Sequence, residues 1–251
     1  MARLGRGRGN VTYQWVDCDR RTVSRRYDRI AEFIPFFDRL FFLPADLRRK
    51  AVARLGLSRG DSVLDIGCGT GVNFPYLRDA VGPTGRVHGV DISAGMLRKA
   101  RARRDANGWD NIELRECDVV DYTAPAPLDG VLFSLSYNTM PHHRAVLQHA
   151  YRQLRPGGRL VIMDAKLPPG WAGRLILPFS LWLMKRTMLG NPLIRPWQEL
   201  AEVVEPVEMR ECLFSSYYIC SATKPFGVGA DLDVASNDNV SLELARRTAA
   251  E

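Results

Sequence analysis

The sequence feature that most constrains the fold is a short apolar run leading directly into three closely spaced glycines. Residues 62–66 form the run, and Gly67, Gly69 and Gly71 follow in the spacing G-x-G-x-G. The run predicts a buried strand, and the glycines let the backbone turn sharply and approach a ligand closely. Because residues 72–80 have helical periodicity, we expect a strand–turn–helix unit whose turn binds a ligand.

Helical and strand-like segments alternate along the chain. The predicted helices cover 45–55, 72–80, 93–106 (with Ser93 as N-cap) and 143–154, and the predicted strands cover 62–66, 86–90, 112–115, 130–135 and 159–163. Residues 207–214 and 217–222 predict an antiparallel hairpin at one edge. This order predicts an α/β fold with a Rossmann-like, doubly wound sheet.

The two ends of the chain differ in composition from its middle. Residues 1–10 alternate Gly and Arg, so we expect a flexible arm, and we expect a mobile tail over 226–251, where aromatics cease after Phe226. We assign 11–44 to an N-terminal lid segment. Residues 45–225 then form one α/β domain, which suits a chain of 251 residues.

Composition narrows the functional classes. The five cysteines (Cys18, Cys68, Cys117, Cys212 and Cys220) form no CxxC and have no metal-ligand spacing, so we predict no metal site and a reducing, cytoplasmic location. We read no signal peptide and no spanning helix. The net charge of +7 suits nucleic acid or an anionic membrane surface and does not choose between them.

The glycine spacing selects among nucleotide ligands. A dinucleotide loop would need glycine where this chain has Val72, and the Lys-Ser/Thr pair of a P-loop is absent. Asp91 ends the second strand, where it can accept hydrogen bonds from two ribose hydroxyls. Asp118 follows the third strand and can accept from an adenine amino group, or instead cap nearby amides. A nucleoside cofactor without phosphates fits this pattern.

Four motifs together resemble the class I S-adenosylmethionine (SAM)-dependent methyltransferases. They cover residues 64–71, residues 89–93 with Met96 and Leu97, residues 117–118 and residues 154–160. The resemblance implies a seven-stranded sheet with its last strand antiparallel, SAM as cofactor and S-adenosylhomocysteine as product. The cofactor site it implies comprises Tyr27, Asp65, Gly67, Cys68, Gly69, Gly71, Asn73, Asp91, Ile92, Met96, Asp118, Val119, Ser134 and Ser136.

Two segments face the expected acceptor. Residues 27–44 are rich in aromatics; the resemblance implies a helical lid here, with Tyr27 covering the positively charged sulfur, although a stripe packed on the core is the alternative. After the fourth strand, Tyr137 can position an acceptor, and His142 and His143 can remove a proton from it. These three are our candidate catalytic residues, the alternative being that such histidines are solvated or capping.

Residues 175–189 form an apolar run with Trp182 at its centre and basic residues on both sides. The run is too short to cross a bilayer, so we expect an interfacial helix or the wall of a lipid-sized pocket. An ordinary buried helix or the face of a homo-oligomer remains the alternative.

Shorter stretches resemble narrower families. Residues 69–73, 135–141 and 156–171 are similar to bacterial lipid N-methyltransferases, which modify phosphatidylethanolamine or betaine lipids, and residues 27–44 resemble quinone C-methyltransferases. We therefore expect methyl transfer to a lipid headgroup amine or other amphipathic small molecule, peripheral to the inner membrane face. The alternatives are C-methylation of a quinone-like ring and a non-catalytic partner protein. Nucleic acid is disfavoured because no Asn-Pro-Pro-Tyr motif follows the fourth strand.

Overall fold

A computed structural model of the chain describes residues 25, 27, 28, 46–140, 142–167, 170, 171, 175, 191, 194–213 and 215–226. The expected arm, most of the lid segment, the tail beyond Phe226 and all of the 175–189 run except Leu175 lie outside the described residues. The helices are α1 Leu47–Arg54, α2 Phe74–Val81, α3 Ala94–Ala106, α4 His143–Arg152 and α5 Pro196–Ala201, with 3-10 turns at Val119–Asp121 and Tyr137–Thr139. The strands are β1 Ser62–Ile66, β2 Arg86–Asp91, β3 Ile112–Glu116, β4 Leu128–Ser134, β5 Leu154–Ala165, β6 Glu208–Cys212 and β7 Tyr217–Thr223.

The strands form one seven-stranded sheet in the order β3-β2-β1-β4-β5-β7-β6. Strands β1 to β5 pair in parallel, whereas β7 runs antiparallel to both β5 and β6. The predicted Rossmann-like fold and its antiparallel last strand are therefore confirmed. The carboxyl ends of β1, β2, β4 and β5 meet at one edge, where ligands bind in open α/β sheets.

Alternate residues of each strand pack into different layers. In β1, Val63 faces a core with α1, α2 and α3, whereas its neighbour Leu64 faces a core with α4 and α5. Both side chains are fully buried. A parallel strand covered by helices on both faces reads as a continuous apolar run, which is why residues 62–66 could be recognised from sequence.

Two elements differ from the sequence-based expectation. Strand β5 begins at Leu154 rather than at residue 159, because Leu154 already pairs with Leu128 and the register then shifts before Gly130. The residues between absorb this shift, with Gly157 at a φ of +79°, so turn-forming residues lie inside a strand. Helix α5 was not predicted; its six residues are too few for a periodicity to show.

Candidate functional site

A cavity lies at the carboxyl edge of the sheet, where β1, β2 and β4 end. Its walls come from the three loops after these strands, from the start of the turn after β3, and from two side chains nearer the amino terminus. The lining residues are Tyr27, Arg48, Ile66, Gly67, Cys68, Gly69, Thr70, Val72, Asn73, Val90, Asp91, Ile92, Met96, Cys117, Asp118, Val119, Ser134, Leu135, Ser136, Thr139, Met140 and Val146. Of the cofactor residues predicted from sequence, only Asp65 and Gly71 stay outside this lining.

The glycine loop needs glycine for two different reasons. Gly67, Gly69 and Gly71 all have φ between +55° and +75°, a region that other residues rarely adopt. A Cβ atom on Gly67 would lie 2.7 Å from the Ser136 Cβ, and one on Gly71 would lie 2.4 Å from the Phe74 ring. Gly69 has nothing within 4 Å at the same place, so it presents bare backbone to the cavity.

The Asp91 carboxylate is oriented by the backbone around it. Its Oδ2 accepts from the Gly69 amide at 2.8 Å, and its Oδ1 accepts from the Ser93 amide at 2.9 Å. Burial raises the pKa of Asp91 to about 6, although these amides oppose the shift. The Ile92 amide also hydrogen-bonds to this carboxylate. A carboxylate offers about four acceptor positions, so acceptor capacity remains for a ribose hydroxyl of a ligand.

A second network holds the floor of the cavity. Asp65 is fully buried, and both of its oxygens accept from the Asn73 amide at 3.1 Å. The Asn73 Oδ1 in turn accepts from Arg48 at 3.3 Å and from the Ser134 hydroxyl at 3.2 Å. Burial raises the pKa of Asp65 to about 7, while the Asn73 hydrogen bond and the Arg48 charge oppose it. Asp65 therefore holds the loop from beneath.

Sequence reasoning missed Arg48. Its guanidinium donates to the Ser134 hydroxyl at 3.0 Å and lines the cavity. It lies four residues before Val52, which is buried, so it belongs to the inward-facing row of α1. An arginine in such a row indicates a buried partner or an anionic ligand, and this is the feature that could have revealed it.

Two further predicted residues line the cavity, one near the amino terminus and one just after β3. Tyr27 lines it, and burial raises the pKa of its phenol. Asp118 lines it too, and its carboxylate also accepts from the Val120 amide at 3.1 Å. Asp118 thus caps the following turn and also lines the cavity, and its hydrogen bond to an adenine amino group stays a prediction.

The three candidate catalytic residues do not line the cavity. Tyr137 is fully buried in the core beside Phe133, and its hydroxyl donates to Glu199 at 2.6 Å. The His143 Nε2 lies 3.1 Å from the other oxygen of Glu199. His142 is exposed and occupies the N-cap position of α4, with φ of +54°. In this structure the first two anchor α4 to α5, and none of the three faces a ligand.

The Glu199 carboxylate explains why Tyr137 and His143 turn away from the cavity. Burial raises the pKa of Glu199, but hydrogen bonds from His143 and Tyr137 and the nearby Arg144 charge outweigh it, and the net shift is downward. Glu199 lies on α5, the helix that the sequence pattern did not predict. Without that partner in view, Tyr137 and His143 could only be read as free groups after β4.

The cavity fits SAM group by group. Gly69 offers bare backbone that a side chain would cover, the Asp91 carboxylate retains acceptor capacity, and Arg48 supplies a positive charge. These residues would hold the methionine part, the ribose and the carboxylate respectively. Asp118 and Val119 lie farther along the edge, at the adenine end.

Comparisons with known proteins agree with this geometry. Residues 57–203 match a family model described as a methyltransferase domain. The chain is 26% identical over 218 residues to the demethylmenaquinone methyltransferase of Geobacillus stearothermophilus, a match that covers 83% of this chain and 91% of that protein. It is 30% identical over 152 residues to the demethylmenaquinone methyltransferase of Listeria welshimeri, covering 59% of this chain and 62% of that one.

Solved structures show the same fold. The phosphoethanolamine N-methyltransferase 2 of Haemonchus contortus, in complex with phosphomonomethylethanolamine and S-adenosylhomocysteine, superposes with a TM-score of 0.66 at 18% identity, covering 83% of this chain and 61% of that one. A SAM-dependent methyltransferase from Aquifex aeolicus superposes with a TM-score of 0.56 at 22% identity, and the match covers 76% of this chain and 98% of that one. With a family match over more than half of its length and this cavity at the sheet edge, the chain belongs to the class I SAM-dependent methyltransferases.

Proposed function

We propose that this enzyme methylates a ring carbon of a quinone-like acceptor in its reduced, dihydroxy form. The observation that carries the proposal is the match to a demethylmenaquinone methyltransferase over 91% of that protein's length. This was our alternative from sequence; the lipid headgroup amine was our first hypothesis. The two acceptors differ in charge and in the bond that must break, so one experiment separates them.

The chemistry requires an electron-rich acceptor. SAM, when bound, supplies a methyl group on positively charged sulfur, which is transferred as an electrophile. The reduced ring can donate an electron pair from carbon, whereas the oxidised quinone is electron-poor. The new carbon–carbon bond forms at a ring carbon as the methyl–sulfur bond breaks, with S-adenosylhomocysteine as the leaving group. The C–H bond at that carbon then breaks and its proton passes to solvent. The enzyme therefore has to align the ring, exclude water and accommodate the departing proton.

The described acceptor side of the cavity favours a neutral ring. Leu135, Thr139 and Met140 lie on the loop after β4 and supply apolar and uncharged polar surface. The cavity carboxylates Asp91 and Asp118 lie at the ends of β2 and β3, on the cofactor side. An amine acceptor would need a negative or aromatic group to recognise it, and the phenol of Tyr27 is the aromatic group that this part of the wall offers.

Two exposed apolar side chains support an acceptor delivered from a membrane surface. Trp171 and Leu175 follow the carboxyl end of β5 and are 79% and 71% exposed. An aromatic and an aliphatic side chain of this kind suit the boundary of a lipid layer, where a prenyl chain would reside. Within the described ranges, no helix has the length and apolar character that crossing a membrane requires.

The deciding experiment offers both acceptors to the full chain under reducing conditions. One is a prenylated 1,4-naphthoquinol carrying deuterium at the unsubstituted ring carbon; the other is phosphatidylethanolamine in vesicles that also contain anionic lipid. We expect the naphthoquinol to gain one methyl group and lose its deuterium, because methylation on carbon breaks that bond. Gain of a methyl group with deuterium retained would indicate transfer to oxygen, and methylation of the phospholipid alone would establish the headgroup reaction.

A further inference from the structure

A buried polar cluster lies at the carboxyl end of β5, next to the acceptor side of the cavity. It consists of Asn138, Asp164 and Tyr218, and we call it the β5 cluster. Asp164 and Tyr218 are direct partners in the pairing of β5 with β7. The Asp164 Oδ2 accepts from the backbone N–H of Asn138 at 3.1 Å. Tyr218 is fully inaccessible and the other two are 5% exposed, so solvent does not satisfy these groups.

The β5 cluster has hydrogen-bonding capacity that the protein leaves unused. The Asn138 side chain lies close enough to the Tyr218 hydroxyl to oppose the rise in the pKa of Tyr218. In the part of the chain that the structure describes, however, neither that hydroxyl nor the Asn138 Oδ1 has a partner in hydrogen-bond geometry. The side-chain nitrogen of Asn138 does have a partner, since it donates to the Ala165 carbonyl at 2.9 Å. Leaving one such buried group unsatisfied costs about 1–3 kcal/mol. Native proteins tolerate that cost mainly where a ligand or a functional need explains it.

The third member is a carboxyl group with an unusual environment. Burial raises the pKa of Asp164 to about 7, against the opposing effect of backbone hydrogen bonds from Asn138 and Ala165. Burial also raises the pKa of Tyr218, and the Asp164 charge raises it further. The phenol therefore remains protonated and able to donate, while Asp164 and the Asn138 oxygen are able to accept. The cluster combines one donor with two acceptors.

The cluster borders the wall of the cavity. Ser134 pairs with Met163, so Asp164 lies one residue beyond the end of β4 along the same sheet edge. Asn138 sits in the loop between Ser136 and Thr139, both of which line the cavity. Burial raises the pKa of Tyr27, a hydrogen bond with Thr139 opposes the shift, and the charges of Asp91 and Asp164 raise it further, so the phenol lies within electrostatic reach of both the cofactor site and the cluster.

We propose that the β5 cluster is the polar end of the acceptor site and binds one hydroxyl group of the acceptor ring. The ring hydroxyl donates to the Asn138 Oδ1 or to Asp164 and accepts from the Tyr218 hydroxyl. An oxidised carbonyl oxygen can only accept, so it would satisfy Tyr218 and leave the Asn138 oxygen orphaned. The cluster thereby selects the reduced ring over the oxidised one. The identity of the ligand rests on the proposed function, whereas the role of the cluster rests on its own geometry.

The test measures acceptor affinity and protein stability in the same variants. The probe is a 2-prenyl-1,4-naphthoquinol kept reduced by dithionite, titrated against full-length protein saturated with S-adenosylhomocysteine. Tyr218→Phe should weaken its binding about tenfold, the effect of one lost hydrogen bond of about 1.4 kcal/mol. The same variant should not lower Tm without acceptor, because it removes an unsatisfied buried group. A purely structural tyrosine would behave in the opposite way.

Two comparisons make the result specific. Tyr151→Phe removes a phenol near the amino end of β5, where the Lys224 Nζ lies 5.2 Å from the Tyr151 ring, and it should leave the affinity unchanged. Asp164→Asn retains an oxygen that can accept from the Asn138 amide but removes the ionisable group. This variant should bind the reduced probe more weakly, and its preference for the reduced probe over the oxidised quinone should be smaller.

Failure of this assignment is distinguishable from failure of the proposed function. If the wild type methylates the naphthoquinol and Tyr218→Phe binds it with unchanged affinity, the assignment is overturned and the function stands. If the wild type binds S-adenosylhomocysteine but neither binds nor methylates the naphthoquinol, the proposed function fails and the assignment falls with it.

Discussion

The Asp28 carboxylate lies against the amino end of α3, where its Oδ1 accepts from the Gly95 amide at 2.8 Å and from the Ser93 hydroxyl at 2.6 Å. A Cβ atom on Gly95 would lie 2.9 Å from that oxygen and 3.0 Å from the Asp28 Cα. The absence of a side chain at Gly95 therefore lets Asp28 approach the helix closely. This contact holds Tyr27, the preceding residue, over the cofactor cavity.

Replacing Gly95 by alanine should uncouple binding from stability. The added methyl group displaces Asp28 and with it Tyr27, so affinity for S-adenosylhomocysteine should fall about tenfold. Helical stability should not fall, because alanine in a helix is favoured over glycine by about 1 kcal/mol. Calorimetric titration and thermal unfolding check the two effects. In an Asp28→Ala background the Gly95 change should add nothing, and an additive loss would show that Asp28 does not transmit the effect.

Arg48 should recognise the carboxylate of the cofactor. Arg48→Gln should weaken the binding of S-adenosylhomocysteine about 10- to 100-fold, since hydrogen bonds to charged groups contribute about 1.5–3 kcal/mol. Methylthioadenosine, which lacks the amino-acid part, provides the matched control ligand and should bind both proteins alike. Equal loss of both ligands would instead mean that Arg48 supports the cavity through Asn73 and Ser134.

Cofactor binding should strengthen as the pH rises. The ribose hydroxyls require Asp91 as a carboxylate, and burial raises the pKa of Asp91 to about 6 in the ligand-free protein. Arg48 and Asp28 are the charged neighbours of this region, acting on Asp65 and Asp91 respectively. The dissociation constant for S-adenosylhomocysteine should fall from about pH 5 to about pH 7.5 and then level off. Calorimetry in buffers of different ionisation enthalpy should detect proton release near pH 6.

The free energy of unfolding should fall as the pH rises, whereas cofactor affinity should increase. Below the ordinary value of 3.8, both folded and unfolded chains hold Asp65, Asp91 and Asp164 protonated. Between that pH and the raised values of about 6 to 7, the unfolded chain ionises first, so the free energy of unfolding falls as pH rises. Above those values the loss is complete and constant. If these three carboxyl groups stabilised the protein most at neutral pH, as judged from the free energy of unfolding, that result would contradict their burial.

Most of the cofactor residues predicted from sequence line the cavity, because local features encode them. Each signal depends on residues within a few positions: the strand before the glycines, the N-cap at Ser93 and the acid at the end of β2. The Ser93 hydroxyl does accept from the Met96 amide, as predicted for an N-cap. The Asp28 contact with Gly95 joins residues 67 positions apart. No periodicity records such a pairing.

The acceptor side was harder to predict for the same reason. Tyr137 follows β4, where an acceptor would lie, but the 3-10 turn Tyr137–Thr139 rotates it into the core. Its partner Glu199 lies 62 positions later, on a helix with no recognisable pattern. The Tyr218 hydroxyl opposite Asp164 gave no sequence signal at all.

Tyr137 should prove structural. Tyr137→Phe removes one hydrogen bond from the buried Glu199 and should lower the free energy of unfolding by about 1–2 kcal/mol. Turnover should stay within about twofold of wild type, since fold-level losses of this size leave the site assembled. His142→Ala is the neighbouring control, and its exposure predicts little change in either quantity. A large fall in kcat with unchanged Tm in Tyr137→Phe would restore the catalytic role predicted from sequence.

The central claim is that the Asp91 carboxylate holds the nucleoside of SAM at the carboxyl edge of the sheet. The most direct test is calorimetric titration of S-adenosylhomocysteine into wild type, Asp91→Ala and the exposed control Asp110→Ala. The wild type and Asp110→Ala should bind with the same affinity, and Asp91→Ala should lose about 100-fold or more, as expected when charge-assisted hydrogen bonding to the ribose disappears. Equal affinity in all three proteins would contradict the account.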